Sequence, residues 1–119
     1  MIRTLAFVIA TTFIASPAFA GKRDAELGLT QARSAVDAAE RAGASEFAAP
    51  ELNIARDMLA RAEGSFDDRD FDDSEDEAER AVLDARLAEA RARQQKAEIA
   101  ANEVEAAIES LRLEVARQN

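Results

Sequence analysis

Residues 72–119 read DDSEDEAERAVLDARLAEARARQQKAEIAANEVEAAIESLRLEVARQN, with no glycine or proline in the run. Alanine, glutamate, arginine and leucine dominate it, and all are strong helix formers. The stretch predicts a single helix of about 45 residues, roughly 65–70 Å long at 1.5 Å per residue. Ala78, Val82, Ala85 and Ala92 form one stripe of small apolar side chains, suited to close packing against preceding helices. A second stripe comprises Leu83, Leu87, Ala90, Gln94, Ala97, Ala101, Val104, Ile108, Leu111 and Val115. Its steps alternate between four and three, a heptad pattern sustained for more than four repeats and interrupted only by Gln94.

Two shorter helices precede it. Between Asp24 and Ala42 the residues Ala25, Leu29, Ala32, Ala35, Val36, Ala39 and Ala42 recur at three- and four-residue intervals, and Gly43 supplies the C-terminal stop. Ala44–Pro50 reads as a connection holding Phe47, with Pro50 suited to a first helical turn. The next helix runs to about Gly64 with Leu52, Ala55, Leu59 and Ala62 on one face, and Ser65–Asp73 reads as a turn. Acid-before-base pairs four residues apart, Asp37–Arg41, Asp57–Arg61 and Glu89–Arg93, are placed to support these helices. The expected fold is all-α: a helical hairpin plus one long third helix, with boundaries near 24–42, 50–64 and 72–118. It is a three-helix bundle with a coiled-coil-like extension.

Composition restricts the chemistry. The chain has 119 residues, 48% of them hydrophobic, and no Cys or His, so nucleophile–imidazole pairs and His- or thiolate-ligated metals are excluded. Lys22 and Lys96 are the only lysines and lie in polar surroundings. No glycine-rich phosphate loop is present, so the reading is non-catalytic, with no catalytic residue, metal ligand or cofactor nominated.

Residues 1–20, MIRTLAFVIATTFIASPAFA, carry Arg3, an apolar stretch from Leu5 to Ile14 and an Ala18–Phe19–Ala20 ending. That is the layout of a secretory signal peptide cut between Ala20 and Gly21. The apolar stretch is about half of what a bilayer span needs. An uncleaved membrane anchor is the competing reading. Residues 21–119 then form one alanine-rich helical domain, exported and periplasmic, with no integral membrane segment. Removing Arg3 leaves 14 basic against 24 acidic groups, a balance that opposes binding to nucleic acid.

From Asp67 to Glu79 nine of thirteen residues are acidic. Asp68, Asp70, Asp72, Asp76 and Glu79 fall at EF-hand positions one, three, five, nine and twelve. The sixth position, where the loop needs glycine, holds Asp73, and the eighth holds Glu75. Acids at a helix start also complement the dipole, and Ser74–Glu77 fits a capping box. Phe71 is expected to dock between helices.

The long helix outruns its companions. Val104, Ile108, Leu111 and Val115 therefore have nothing in the same chain to pack against, and a partner helix is expected. Ala101, Val104, Ile108, Leu111 and Val115 are the candidate partner-binding residues. The partner is a second copy, giving a homo-oligomer, or another envelope protein; an exposed, solvated helix end is the competing reading. The function expected is an exported envelope module for structure or protein interaction. The alternative is a cation- or ligand-responsive periplasmic protein using Asp67–Glu79.

Between Arg41 and Ala97 the sequence also carries a specific layout. The turn Gly43, Ala44, Phe47, Ala48, Pro50, Glu51, Leu52 precedes the helix positions Ala55, Arg56, Leu59 and Ala62. Asp70–Phe71 follows, and then Ala81, Asp84, Ala85, Ala88, Glu89, Ala90 and Ala92. This resembles the bacterial family called domain of unknown function 4398. The resemblance implies an alanine-rich helical envelope domain, found in similar proteins as lipoproteins or before an outer-membrane-protein-A-like domain. It implies no catalytic residue. No Cys follows the apolar run of this chain to accept a lipid.

Overall fold

In the computed structural model the described residues are 17–118, with side chains described from Gly21 onward. Most of the signal-peptide segment therefore lies outside the described residues. Four helices follow in order: α1 Pro17–Arg41, α2 Ala44–Phe47, α3 Ala49–Asp67 and α4 Phe71–Gln118. No strand occurs among the described residues, and the class is all-α as expected.

Each long helix presents an inward heptad stripe made largely of alanine. The buried positions are Ala25, Leu29, Ala32, Val36 and Ala39 on α1, and Leu52, Ala55 and Ala62 on α3. On α4 they are Ser74, Ala78, Ala81, Ala85, Ala88 and Ala92. Alternating steps of four and three keep one face of a helix toward its neighbours over several turns. Side chains this small let axes approach to about 8 Å, the lower end of the usual range. The core is therefore thin, with Leu52 its largest fully buried apolar side chain.

The topology is up, down, up, and α1 and α3 each pack on α4 far more than on each other. Gly28 lies against Ala78, and Gly43 against Lys96, so α1 and α4 run parallel. Helix α3 runs the opposite way, since its end meets the start of α4 and its start meets α4 near Arg91: the Ser74 hydroxyl donates to the Ala62 carbonyl at 2.8 Å, and the Ser65 hydroxyl to Glu77 Oε2 at 2.7 Å. Further along, Arg91 Nε stands 3.1 Å from Glu51 Oε1.

Several local expectations change. α1 begins at Pro17 and runs through Ala20–Gly21 without a break. The connection after Gly43 contains a helical turn, α2, in which the Gly43 carbonyl accepts from the Glu46 and Phe47 amides. A bare loop there would leave those donors unpaired beside buried Ala44 and Ala48. Ala48, at φ −149°, separates α2 from α3.

The turn after α3 is also shorter than Ser65–Asp73. Helix α3 continues past Gly64 to Asp67, just under one further turn, which brings Ser65 to Glu77 and sets Phe66 edge-to-face on Phe71, ring centroids 5.4 Å apart. It closes with the Arg69 amide donating to the Phe66 carbonyl and the Asp70 amide to the Ser65 carbonyl. That is a Schellman end with Arg69 at its left-handed position, φ 68°. Ser74 is consequently not a helix cap. It sits at an inward heptad position one turn into α4, and the Ser74–Glu77 capping box does not form.

Among the described residues, Asp37–Arg41 and Asp57–Arg61 do not form ion pairs. Arg33 instead reaches Glu63 at 2.8 Å and Arg56 reaches Glu40, both between α1 and α3. Glu89–Arg93 does form within α4. These pairs are largely exposed and contribute at most about 1 kcal/mol each.

Candidate interaction surface

The bundle ends where α1 and α2 end. Gly43, at φ 92°, passes so close to α4 that a Cβ there would stand 2.7 Å from Lys96 Nζ. The Lys96 ammonium lies over the Phe47 ring, 5.5 Å from its centroid, a spacing at which a cation is attracted to an aromatic face. Ala92 is the last buried residue of α4, and every described residue from Arg93 to Gln118 is exposed. Beyond Lys96 the helix advances about another 33 Å at 1.5 Å per residue with no other described part of the chain against it.

All five candidate partner-binding residues lie on this overhang. Val104, Ile108, Leu111 and Val115 are 45–66% exposed, and Ala101 is exposed beside them. They occupy one stripe of one helix, and the fold brings them against nothing else among the described residues. The stripe starts further back, on the bundle itself, where Leu83 is 63% and Leu87 46% exposed. Leu83 is two residues from both Ala81 and Ala85, hence about 160° around the helix from each. The heptad seam therefore runs along the back of α4, opposite the buried face. A shallow groove between α1 and α4, lined by Gly28, Gln31, Glu79, Val82, Leu83 and Arg86, opens beside its start.

Two exposed hydrophobics of the overhang are not singled out by the sequence reading. Ile99 and Leu113 continue the bundle-facing stripe of α4 past the bundle. Asn102 and Glu109 fall between them at the heptad spacing, so the continuation is mixed in character. Ile99 and Leu113 are seven residues apart twice over, a signal available in the sequence but diluted by those polar neighbours.

The acidic segment does not assemble the EF-hand register. Asp68 and Asp70 lie in the turn, whereas Asp72, Asp76 and Glu79 lie on α4 itself. Helical backbone cannot wrap five such positions around one ion as a 12-residue loop does. Among the described residues no group of three or more acidic side chains is arranged to hold a metal ion. Phe71 is half-buried against Phe66, as expected of an aromatic docked at a helix junction.

A family model matches residues 28–104, most of the chain and the whole of the bundle past the first turns of α1. The chain belongs to that family, described as a domain of unknown function (DUF4398). The match confirms the resemblance drawn from the Gly43–Leu52 turn and the alanine-rich start of α4. The match to DUF4398 stops at Val104, so Ile108, Leu111 and Val115 lie beyond it. No curated protein and no solved structure matches the sequence. Among the described residues no helix is long and apolar enough to cross a membrane.

Proposed function

We propose that the chain is an exported, periplasmic helical module of the cell envelope, without catalytic activity, which docks through the C-terminal half of α4. One observation carries this reading. The stripe Val104, Ile108, Leu111, Val115 stands uncovered on a helix that has left its bundle. Fully burying a side chain of this size contributes about 1.5–3 kcal/mol, so covering the stripe yields several kcal/mol toward association. The bundle positions that stripe, holding the first half of α4 rigid and projecting the second half away from itself.

The layout of residues 1–20 supports export. Among the described side chains the first buried one is Ala25, so a cut between Ala20 and Gly21 leaves every described core residue in place. The acid excess supports a protein partner over nucleic acid.

Light scattering tests the docking reading. Because the chain has no Trp or Tyr, concentration is read by refractive index. Association, with itself or with a purified envelope protein, is expected for the full chain and lost on truncation after Lys96. A chain that stays monomeric and captures no envelope protein, truncated or not, overturns the reading. Fractionation of the producing cells and the N-terminal mass of the product test export, with Gly21 the expected first residue.

A further inference from the structure

Resting on the reading that the back of α4 is a docking surface, we propose that its occupant is a second copy of this chain. The two copies of α4 run antiparallel, with Ala97 of one opposite Ala101 of the other. The two-fold axis then passes beside Ile99, and every seam residue meets another seam residue. Leu83 faces Val115, Leu87 faces Leu111, Ala90 faces Ile108, and Gln94 faces Val104. Each overhang thereby lies along the exposed back of the other copy's bundle. The two ends of the seam, Leu83 and Leu87 on the bundle and Leu111 and Val115 near the tip, cover each other. The outer layers thus join large aliphatic side chains, Ala90 meets the larger Ile108, and the small Ala97–Ala101 layers flank the axis.

The charges flanking the seam select this register. Residues beside an antiparallel seam pair with the like heptad position of the other helix, and opposite signs there fix orientation. In this register Asp84 faces Arg112, Arg91 faces Glu105, and Arg86 faces Glu114. All three pairs are opposite in sign and the axis doubles each. Among the charged flanking residues only Glu98 meets its own copy. In the folded chain the tail members of these pairs have only local partners one turn away, Arg112 lying 3.7 Å from Glu109, and Glu114 lying 3.8 Å from Arg117 and accepting from Gln118 Nε2 at 3.1 Å. Arg86 is exposed on the bundle's outer surface.

Neighbouring arrangements do worse. Sliding one heptad in one direction sets Arg91 against Arg112 and Glu98 against Glu105, with only Arg93–Glu114 opposite in sign. Sliding in the other sets Asp84 against Glu105 and Glu79 against Glu114, which offset Arg91–Glu98 and Glu77–Arg112. A parallel, in-register pair places Arg86 beside Arg91. It also stacks Ala90, Gln94, Ala97 and Ala101 each on its own copy, four successive layers of small or polar side chains.

The chain contains no cysteine, so thiols placed on the seam report its geometry directly. Leu87→Cys and Leu111→Cys, both at exposed positions, are expected to form a mixed disulfide when the two variants are combined and oxidised gently. Neither is expected to form a disulfide dimer alone, since the two copies of position 87 lie about 36 Å of helix rise apart. Disulfide dimers of each variant with itself, and none between them, indicate a parallel pair and overturn the proposal. Charge reversal is an independent check. Arg86→Glu and Glu114→Arg each weaken dimerisation about tenfold, and the double variant restores it. In a parallel pair Arg86→Glu strengthens association, because it then faces Arg91. A full chain that is monomeric at several hundred micromolar also overturns the proposal. If such a monomer still binds an envelope protein through Val104–Val115, the docking reading stands while self-pairing falls.

Discussion

Alanine decides this bundle residue by residue. Ala85 is fully enclosed in the middle of the buried stretch of α4, among the buried cluster that includes Val36, Leu52 and Ala55. Replacing it with leucine adds volume where helix axes are already close, and overpacking of a filled core costs about 1–3 kcal/mol. The expected outcome of Ala85→Leu is a drop in urea midpoint or melting temperature of that order, measured by far-ultraviolet circular dichroism. Leu87→Ala, two residues on and exposed, should leave the folding of the bundle nearly unchanged. Ser74 is the one buried polar side chain described, and its hydroxyl is satisfied by the Ala62 carbonyl. Gly64 is the opposite case. It sits inside α3 with nothing within 4 Å of where a Cβ would be, so Gly64→Ala meets no clash. It removes the entropic cost of a mid-helix glycine, and the variant should be more stable by about 0.5–1 kcal/mol.

At the level of helices, the two junctions are built alike but from different residues. Gly43 and Arg69 both adopt left-handed backbone, φ 92° and 68°. Glycine takes that conformation freely, whereas an L side chain there costs roughly 1–2 kcal/mol. Part of that cost is recovered when Arg69→Gly relieves it, because glycine loses about 0.5–1 kcal/mol of chain entropy. A net gain of up to about 1 kcal/mol is expected in thermal melts, whereas any gain above that would mean Arg69 carries a further strain. This contrast also shows what the sequence made legible. Gly43 announced the end of α1 because glycine is the common choice there, and Pro50 announced the start of α3. Arg69 announced nothing, and the glycine that did stand nearby, Gly64, pointed to a helix end almost one turn too early. What holds that last turn in place is tertiary: the Ser65–Glu77 bond and the Phe66–Phe71 contact. The same limit applied to Ser74, whose spacing to Glu77 matched a capping box while its heptad register with Ala78, Ala81 and Ala85 placed it inside. On α4 the exposed heptad seam was legible in full. The buried seam was read through Ala78, Ala85 and Ala92, while Ala81 and Ala88 went unread because alanine carries little contrast between core and surface.

On the scale of the whole molecule, the bundle and the overhang differ in what holds them helical. Within the bundle, α1 and α3 bury one face of α4 as far as Ala92. Past Lys96 only backbone bonds and local pairs such as Gln94–Glu98 and Gln118–Glu114 support it. A helix segment of this length is marginal in water on propensity alone. The bundle supplies its nucleus, so it extends from an already formed end and frays from the tip. Pairing of the apolar stripe then shifts that local equilibrium by mass action, as any ligand of the ordered form does. Helix content should therefore rise with protein concentration, and the rise should be confined to the overhang. Circular dichroism at 222 nm, recorded from low micromolar to several hundred micromolar, is expected to show a per-residue increase for the full chain and none for the chain truncated after Lys96. Hydrogen exchange should place the added protection at residues 97–118 and, if the copies pair along the whole seam, at the back of the bundle around Leu83 and Leu87. A helix signal that is full and flat across that range, with the overhang protected even in the monomer, would mean that its exposed stripe needs no partner to stay ordered.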